Sequence, residues 1–254
     1  MSSYAVQLAA HQQKYTQAIA QARHAGAQDF TAWFNREAAQ DATQAMVRGF
    51  WDFGMHILTP PVCARLDRPE RRSALEIGYG GGRLLYAASH FFGCVHGVDI
   101  HAEAGYVAQQ LRAAGRHNIQ LYRTSGDVLP IADASVDLIY SFIVLQHLPR
   151  YAVLVRYLHE TRRCLRVGGV AQLYFGRFGR LHALHQVRWW WRGYREVPHA
   201  TANQISLVVR VGVVRRLCAT LGLQVIAHGS SYYRVPDGYP TQRGGQSYVT
   251  LYRG

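Results

Sequence analysis

The sequence predicts an α/β fold built on a doubly wound, mostly parallel sheet, with an antiparallel last strand and a helical cap at the N-terminus. Three observations predict it. From Ser73 onward, short apolar runs alternate with helical stretches of about ten residues, the mark of consecutive βαβ units. The first run ends in a glycine cluster, Gly78-Tyr79-Gly80-Gly81-Gly82, directly ahead of a helical pattern. The last run, Ser247–Arg253, alternates apolar and polar residues as a strand of an antiparallel pair does.

Residues 1–27 read as a helix, with Tyr4, Leu8, Tyr15, Ile19 and Ala20 at helical spacing. A second helical block covers about 37–58, interrupted by Gly49 and Gly54, and Pro60-Pro61 ends it. Residues 1–72 are therefore expected to form the helical cap and linker, and 73–254 the core. Within the core, strands are expected at Ala74–Gly78, Val95–Ile100, Ile119–Thr124, Val136–Ser141 and Val170–Phe175. Helices are expected at Arg83–Phe92, Ala102–Ala114 and Ala152–Leu165, with a turn over Arg166–Gly169. Residues 176–204 break the rhythm and read as a lid-like insertion carrying Trp189-Trp190-Trp191. A helix over Ile205–Leu221, closed by Gly222, and a strand over Leu223–His228 complete the series.

Composition narrows the function classes. The chain of 254 residues is 49% hydrophobic and 17% charged, which suits a packed α/β domain and excludes disorder. No run approaches the roughly 20 apolar residues of a membrane span, and no signal pattern opens the chain, so a cytoplasmic location is expected. The four cysteines are scattered without a C-x-x-C pair, and are read as reduced. His182 and His185 lack a third ligand nearby, so no metal is expected. A net charge of +13 leaves room for a polynucleotide partner, but the arginines form no basic run and Lys14 is the only lysine. A small-molecule substrate is the leading expectation. The oligomeric state is open, a dimer among its outcomes.

The octet Leu75-Glu76-Ile77-Gly78-Tyr79-Gly80-Gly81-Gly82 carries the most chemistry. Glycines admit tight backbone turns and let a ligand lie against the main chain. A dinucleotide fingerprint would require glycine where Arg83 stands. Glu76, two residues ahead of the first glycine, suits a cationic ligand better than a pyrophosphate.

The chain here resembles the class I S-adenosylmethionine-dependent methyltransferases, over about residues 73–175. His96-Gly97-Val98-Asp99-Ile100 is similar to the end of the family's second strand, whose acid bonds both ribose hydroxyls. That acid matches Asp99, 23 residues after Glu76. Gly126-Asp127-Val128 is similar to the adenine segment, where Asp127 would accept from the exocyclic amine. Val136–Ser141 resembles the fourth strand, and Leu165-Arg166-Val167-Gly168-Gly169 the family's Leu-x-Pro-Gly-Gly turn, with Val167 in place of proline. The resemblance implies a Rossmann-like fold, S-adenosyl-L-methionine as cofactor, and a cofactor site made of Glu76, Gly78, Tyr79, Gly80, Gly82, Asp99, Ile100, Gly126, Asp127, Val128 and Ser141.

Methyl transfer from a sulfonium needs alignment first, and a base only where the nucleophile must lose a proton. His147, just beyond the fourth strand, is the candidate base. Trp33, His147 and Trp190 are the candidate substrate contacts. An oxygen nucleophile on a small molecule is expected. The alternatives are an RNA or protein substrate met by the arginine-rich surface, and a cofactor-binding partner that does not catalyse. Ser141-Phe142-Ile143-Val144 stands where amine- and base-modifying relatives often carry an Asn/Asp-Pro-Pro-Tyr/Phe motif, which argues against base amination chemistry.

Overall fold

The computed structural model describes residues 3–179, 187–197, 199–233 and 242–254. Among these, nine strands join one sheet. β1 (Ser73–Ile77), β2 (Cys94–Asp99), β3 (Ile119–Arg123), β4 (Val136–Ser141) and β5 (Leu165–Arg177) run parallel in the order β3-β2-β1-β4-β5. Three helices follow β1, β2 and β4 respectively: α5 (Arg83–Ala88), α6 (Ala104–Ala113) and α7 (Tyr151–Cys164). The chain winds outward from β1 to β3 and returns to β4 on the other side of β1. A crevice therefore opens beyond the carboxyl ends of β1 and β4, where ligands of doubly wound sheets bind. Four of five residues of β1 and all six of β4 are buried, as the apolar runs of central parallel strands require.

The C-terminal half closes the sheet. β9 (Gln242–Tyr252) lies antiparallel to β5, and β8 (Gln224–Tyr233) antiparallel to β9. Both strands run longer than their apolar alternation foretold. A short hairpin of β6 (Tyr194–Glu196) and β7 (Leu207–Val209) joins β5 at Gly176 and Arg177.

Four sequence expectations need correction. The first helix ends earlier, since α1 spans Ser3–Ala25 and α2 spans Ala27–Asn35. Gly26 between them holds φ 151°, a conformation that breaks helical continuity and that glycine tolerates. The block expected from residue 37 begins at α3 (Ala42–Asp52), capped by the Asp41 carboxylate accepting from the Gln44 amide, and passes into a π-type turn over Phe53–Ile57 before α4 (Pro60–Cys63). The helix expected from Ile205 is strand β7 followed by α9 (Val211–Thr220), because Leu207, Val208 and Val209 are all buried in the sheet. The turn at Arg166–Gly169 lies inside β5, where the Gly168 amide donates to the Arg253 carbonyl at 2.7 Å and so continues the pairing with the chain's end. Elsewhere boundaries differ by a few residues, as at α5, which stops at Ala88. α8 (Val187–Arg192) is the helix described within residues 176–204, and His182 and His185 lie outside the described residues. Among the described residues no helix is long and apolar enough to cross a membrane.

Candidate active site

The glycine turn is built by hydrogen bonds from both sides. The Gly78 amide donates to the Val98 carbonyl at 2.7 Å, and the Gly82 amide to the Tyr79 carbonyl at 2.8 Å. Gly78, Gly80 and Gly82 all have positive φ, and a Cβ at Gly82 would strike Val107 at 2.9 Å. Asp99 and His101 then hold Gly80 by both ends of its peptide. The Gly80 amide donates to Asp99 Oδ2 at 2.8 Å, and His101 Nε2 donates to the Gly80 carbonyl at 3.1 Å. The tautomer follows from the geometry, since His101 Nδ1 accepts from the Glu103 amide at 3.1 Å. His101 is buried and was not among the expected site residues; the signal for it was its place two residues beyond Asp99, at the strand end that faces the crevice.

In front of this turn lies a cavity of about 150 Å³, partly open to solvent. Of the residues expected at the site, Glu76, Gly78, Tyr79, Gly80, Asp99, Ile100, Gly126, Trp33 and His147 line it. Gly82 caps α5 from beneath, and Ser141 is fully buried with its hydroxyl donating to the Ile77 carbonyl at 3.0 Å. Val128 is exposed, its carbonyl accepting from Thr124 Oγ1. Asp127 is not among the residues that line the cavity, and its Oδ2 accepts from the Tyr4 hydroxyl at 2.8 Å with Arg156 Nε at 3.4 Å. The Trp190 side chain lies outside the described residues.

Two acids remain at the cavity, and their environments differ. Asp99 accepts two backbone amides, from Gly80 and from Ile100 at 2.6 Å, and a carboxylate has lone pairs left for two further donors. Glu76 is almost fully buried, with the Tyr140 hydroxyl donating at 3.3 Å. Burial pushes its carboxyl up to about 8, against the pull of Arg83 and of the Tyr140 hydrogen bond. The Arg83 charge is answered chiefly by Asp52 on α3, at 2.5 Å. A ligand carrying a cationic group at Glu76 and a diol at Asp99 fits this donor set. The Tyr79 hydroxyl is buried with no hydrogen-bond partner among the described residues, and Tyr79 itself lines the same cavity.

The faces of the glycines are not bare. A Cβ at Gly78 would meet Val144 at 2.4 Å, and one at Gly80 would meet Phe34 at 2.7 Å. The turn is thus flanked by the loop after β4 and by α2, with the cavity between them. Ile143 in that loop has φ 61°, in the left-handed region that β-branched residues avoid, and its amide donates to Gln246 Oε1 at 3.2 Å.

The far side of the cavity comes from the N-terminal helices and the segment around Asn203. His11, Tyr15 and Ile19 of α1 line it beside Trp33 of α2. His11 was missed, although it belongs to the stripe Tyr4, Leu8, Tyr15, Ile19 at helical spacing. His147 Nδ1 lies 2.8 Å from the Gln204 carbonyl and so carries the proton. Its Nε2 is left as an acceptor, met by the Gln146 side-chain amide at 3.2 Å. Burial lowers the His147 pKa, the Gln204 hydrogen bond opposing it and Arg36 and Lys14 adding to it, so the ring is neutral near pH 7. Burial likewise lowers His11 to about 4.

Comparison with known proteins agrees with this geometry. Residues 75–173 match the family described as Methyltransferase domain. No curated protein matches the chain. Among solved structures, the YcgJ protein of Bacillus subtilis has a TM-score of 0.55 at 16% identity, over 76% of this chain and 97% of that one. A SAM-dependent methyltransferase of Methanosarcina mazei gives 0.55 at 19% identity, over 76% and 96%. Geranyl diphosphate C-methyltransferase from Streptomyces coelicolor, solved with Mg2+, geranyl diphosphate and S-adenosyl-L-homocysteine, gives 0.56 at 13% identity, over 88% and 87%. Residues 75–173 thus match a methyltransferase domain, and the glycine turn between β1 and α5 with the strand order around β1 and β4 gives the chain the fold of the S-adenosylmethionine-dependent methyltransferases it is similar to.

Proposed function

We propose that the chain methylates an oxygen nucleophile on a small molecule, with His147 as the general base. Glu76 would hold the cationic amino-acid end of the cofactor, Asp99 its ribose, and Ile100, Gly126 and Leu148 the walls of the base. Bound S-adenosylmethionine supplies an electrophilic methyl group on a sulfonium. The observation that carries the reading is the joining, in one cavity, of the Glu76–Asp99 pair to a wall holding a neutral imidazole. For His147 to act, the acceptor hydroxyl displaces the Gln146 amide from Nε2, and the Gln204 carbonyl steadies the ring as it gains charge. The segment from Ala200 to Ser206 borders the site through Asn203. Lys14 Nζ donates to the Ala200 carbonyl at 2.7 Å, and the Ser206 amide to the Gln146 carbonyl at 2.9 Å.

A small acceptor is favoured over a polynucleotide because many arginines are engaged within the chain. Arg72 and Arg166 both pair with Asp137, Arg163 with Glu160 and Asp133, and Arg150 with Glu196. The test is calorimetry with S-adenosylhomocysteine, followed by untargeted metabolite comparison of cells with and without the active chain. His147→Ala should lower turnover about 10²- to 10⁴-fold while leaving cofactor affinity unchanged. Unchanged turnover removes His147 as base. Salt-sensitive binding to bulk RNA, lost by about 200 mM salt, would favour the polynucleotide reading instead.

A further inference from the structure

We propose that the acceptor is an aromatic hydroxyl, its planar ring received between Tyr15, Trp33 and Phe142 and its oxygen turned toward His11 and His147. The inference rests on the oxygen-directed methyl transfer above and narrows its substrate class. Walls, bases and charges of the cavity each point the same way.

The walls beyond the glycine turn are aromatic. Tyr15 and Trp33 meet edge to face with ring centroids 6.1 Å apart, and Trp33 meets Phe34 at 4.8 Å. Phe142, also on the cavity, is backed by the buried His56 ring stacked on it at 4.4 Å. Rings fixed in this way offer faces and edges that a flat π system matches and a puckered aliphatic ring does not.

Two imidazoles flank Tyr15, His11 at 4.8 Å and His147 at 6.3 Å between ring centroids. Among the described residues nothing hydrogen-bonds the His11 ring, so its lone pair is open to a hydroxyl donor. Both rings are weaker bases than free histidine, because burial holds each one neutral. A weak base relieves a phenol, whose proton leaves near pH 10, far more readily than an aliphatic hydroxyl, whose acidity lies near water's value of about 15.7. Charge adds to this. Lys14 and Arg36 place positive potential at His147, while the two acids on the cavity, Glu76 and Asp99, stand beside the glycine turn. An ammonium acceptor would meet like charge there; an oxygen losing its proton meets the opposite charge.

The step balances. A bond forms between the phenol oxygen and the methyl carbon as the methyl–sulfur bond breaks, its electron pair staying on sulfur to leave a neutral thioether. The hydroxyl proton passes to an imidazole nitrogen and then to solvent.

The test uses the full chain loaded with S-adenosylhomocysteine, titrated with phenol, catechol and 2-naphthol and with their saturated counterparts cyclohexanol, cis-1,2-cyclohexanediol and decahydro-2-naphthol. Binding is followed by ligand-observed NMR, and methyl transfer with S-adenosylmethionine by thioether release. At least one aromatic member should bind about tenfold or more tighter than its saturated partner, and be methylated where the partner is not. Trp33→Leu should weaken that binding about tenfold, and Trp33→Phe should keep most of it. Equal binding of the two series, or binding of neither to a chain that calorimetry shows loaded, overturns the aromatic acceptor and leaves methyl transfer standing. Failure of S-adenosylhomocysteine itself to bind overturns both.

Discussion

The Asp99 carboxylate accepts the amide of Gly80 at 2.8 Å, so the end of β2 and the turn after β1 are one rigid unit before any ligand arrives. His101 completes the unit from the carbonyl side of the same glycine. A ribose set against Asp99 would therefore meet a carboxylate whose rotamer is already fixed, which spares the ordering cost of binding.

Asp99→Ala should weaken S-adenosylhomocysteine binding by roughly 1–3 kcal/mol, the worth of lost charged hydrogen bonds. His101→Ala should weaken it less, and by loosening Gly80 alone. Calorimetry on both variants checks the order. A wild-type affinity in Asp99→Ala would sink the ribose placement.

Glu76 supplies a pH signature. Its carboxyl titrates near pH 8 in the fold, where burial raises it, and near the ordinary carboxylate value when unfolded. Between those values the folded state holds the extra proton, so stability contributed by the neutral acid is present at low pH and declines as pH rises toward 8. Glu76→Gln should flatten that decline in thermal unfolding measured from pH 5 to 9. A cationic ligand favours the ionised acid, so cofactor binding near pH 7 should release a proton. Calorimetric enthalpies in buffers of different ionisation heat will show it, and their equality would remove Glu76 from the cation.

Ile143 holds left-handed backbone beside the cavity, at a cost on the order of 1–3 kcal/mol. Ile143→Gly should raise the unfolding midpoint in urea by relieving that strain, yet lower turnover by freeing the loop from Phe142 to His147. A variant both more stable and fully active would show that the strain serves nothing.

Asp52 on α3 and Arg83 at the start of α5 form a largely buried pair at 2.5 Å, with Arg48 also on Asp52 at 3.4 Å. Asp52→Ala leaves Arg83 buried without its partner and should destabilise the chain by about 3–5 kcal/mol. Replacing Asp52 by Asn should cost less, since the amide oxygen still accepts. Denaturant unfolding of the two variants separates charge from hydrogen bonding.

Legibility followed locality. That Glu76, the glycine turn and Asp99 meet at one cavity was readable because each lies at or beside a strand end, and strand ends on one side of a parallel sheet face the same crevice. Asp127 matched by spacing, but its orientation depends on Tyr4, 123 residues away, which no local pattern reports. His11 lay in the open on a helical stripe, and the role of that stripe became visible only when α1 was seen to lie over the cavity. The strand β7 read as helix because three buried branched residues suit either element until the neighbouring edge is known.

By itself the sequence determined the βαβ winding, the glycine turn and the antiparallel close of the sheet, because periodicity and glycine turns are written residue by residue. Only the tertiary structure decided the far side of the cavity: which helix faces cover it, that Tyr15, Trp33 and His147 share it, and that burial holds the histidines neutral. Those properties depend on side chains distant along the chain and on the water they exclude, and no stretch of sequence contains either.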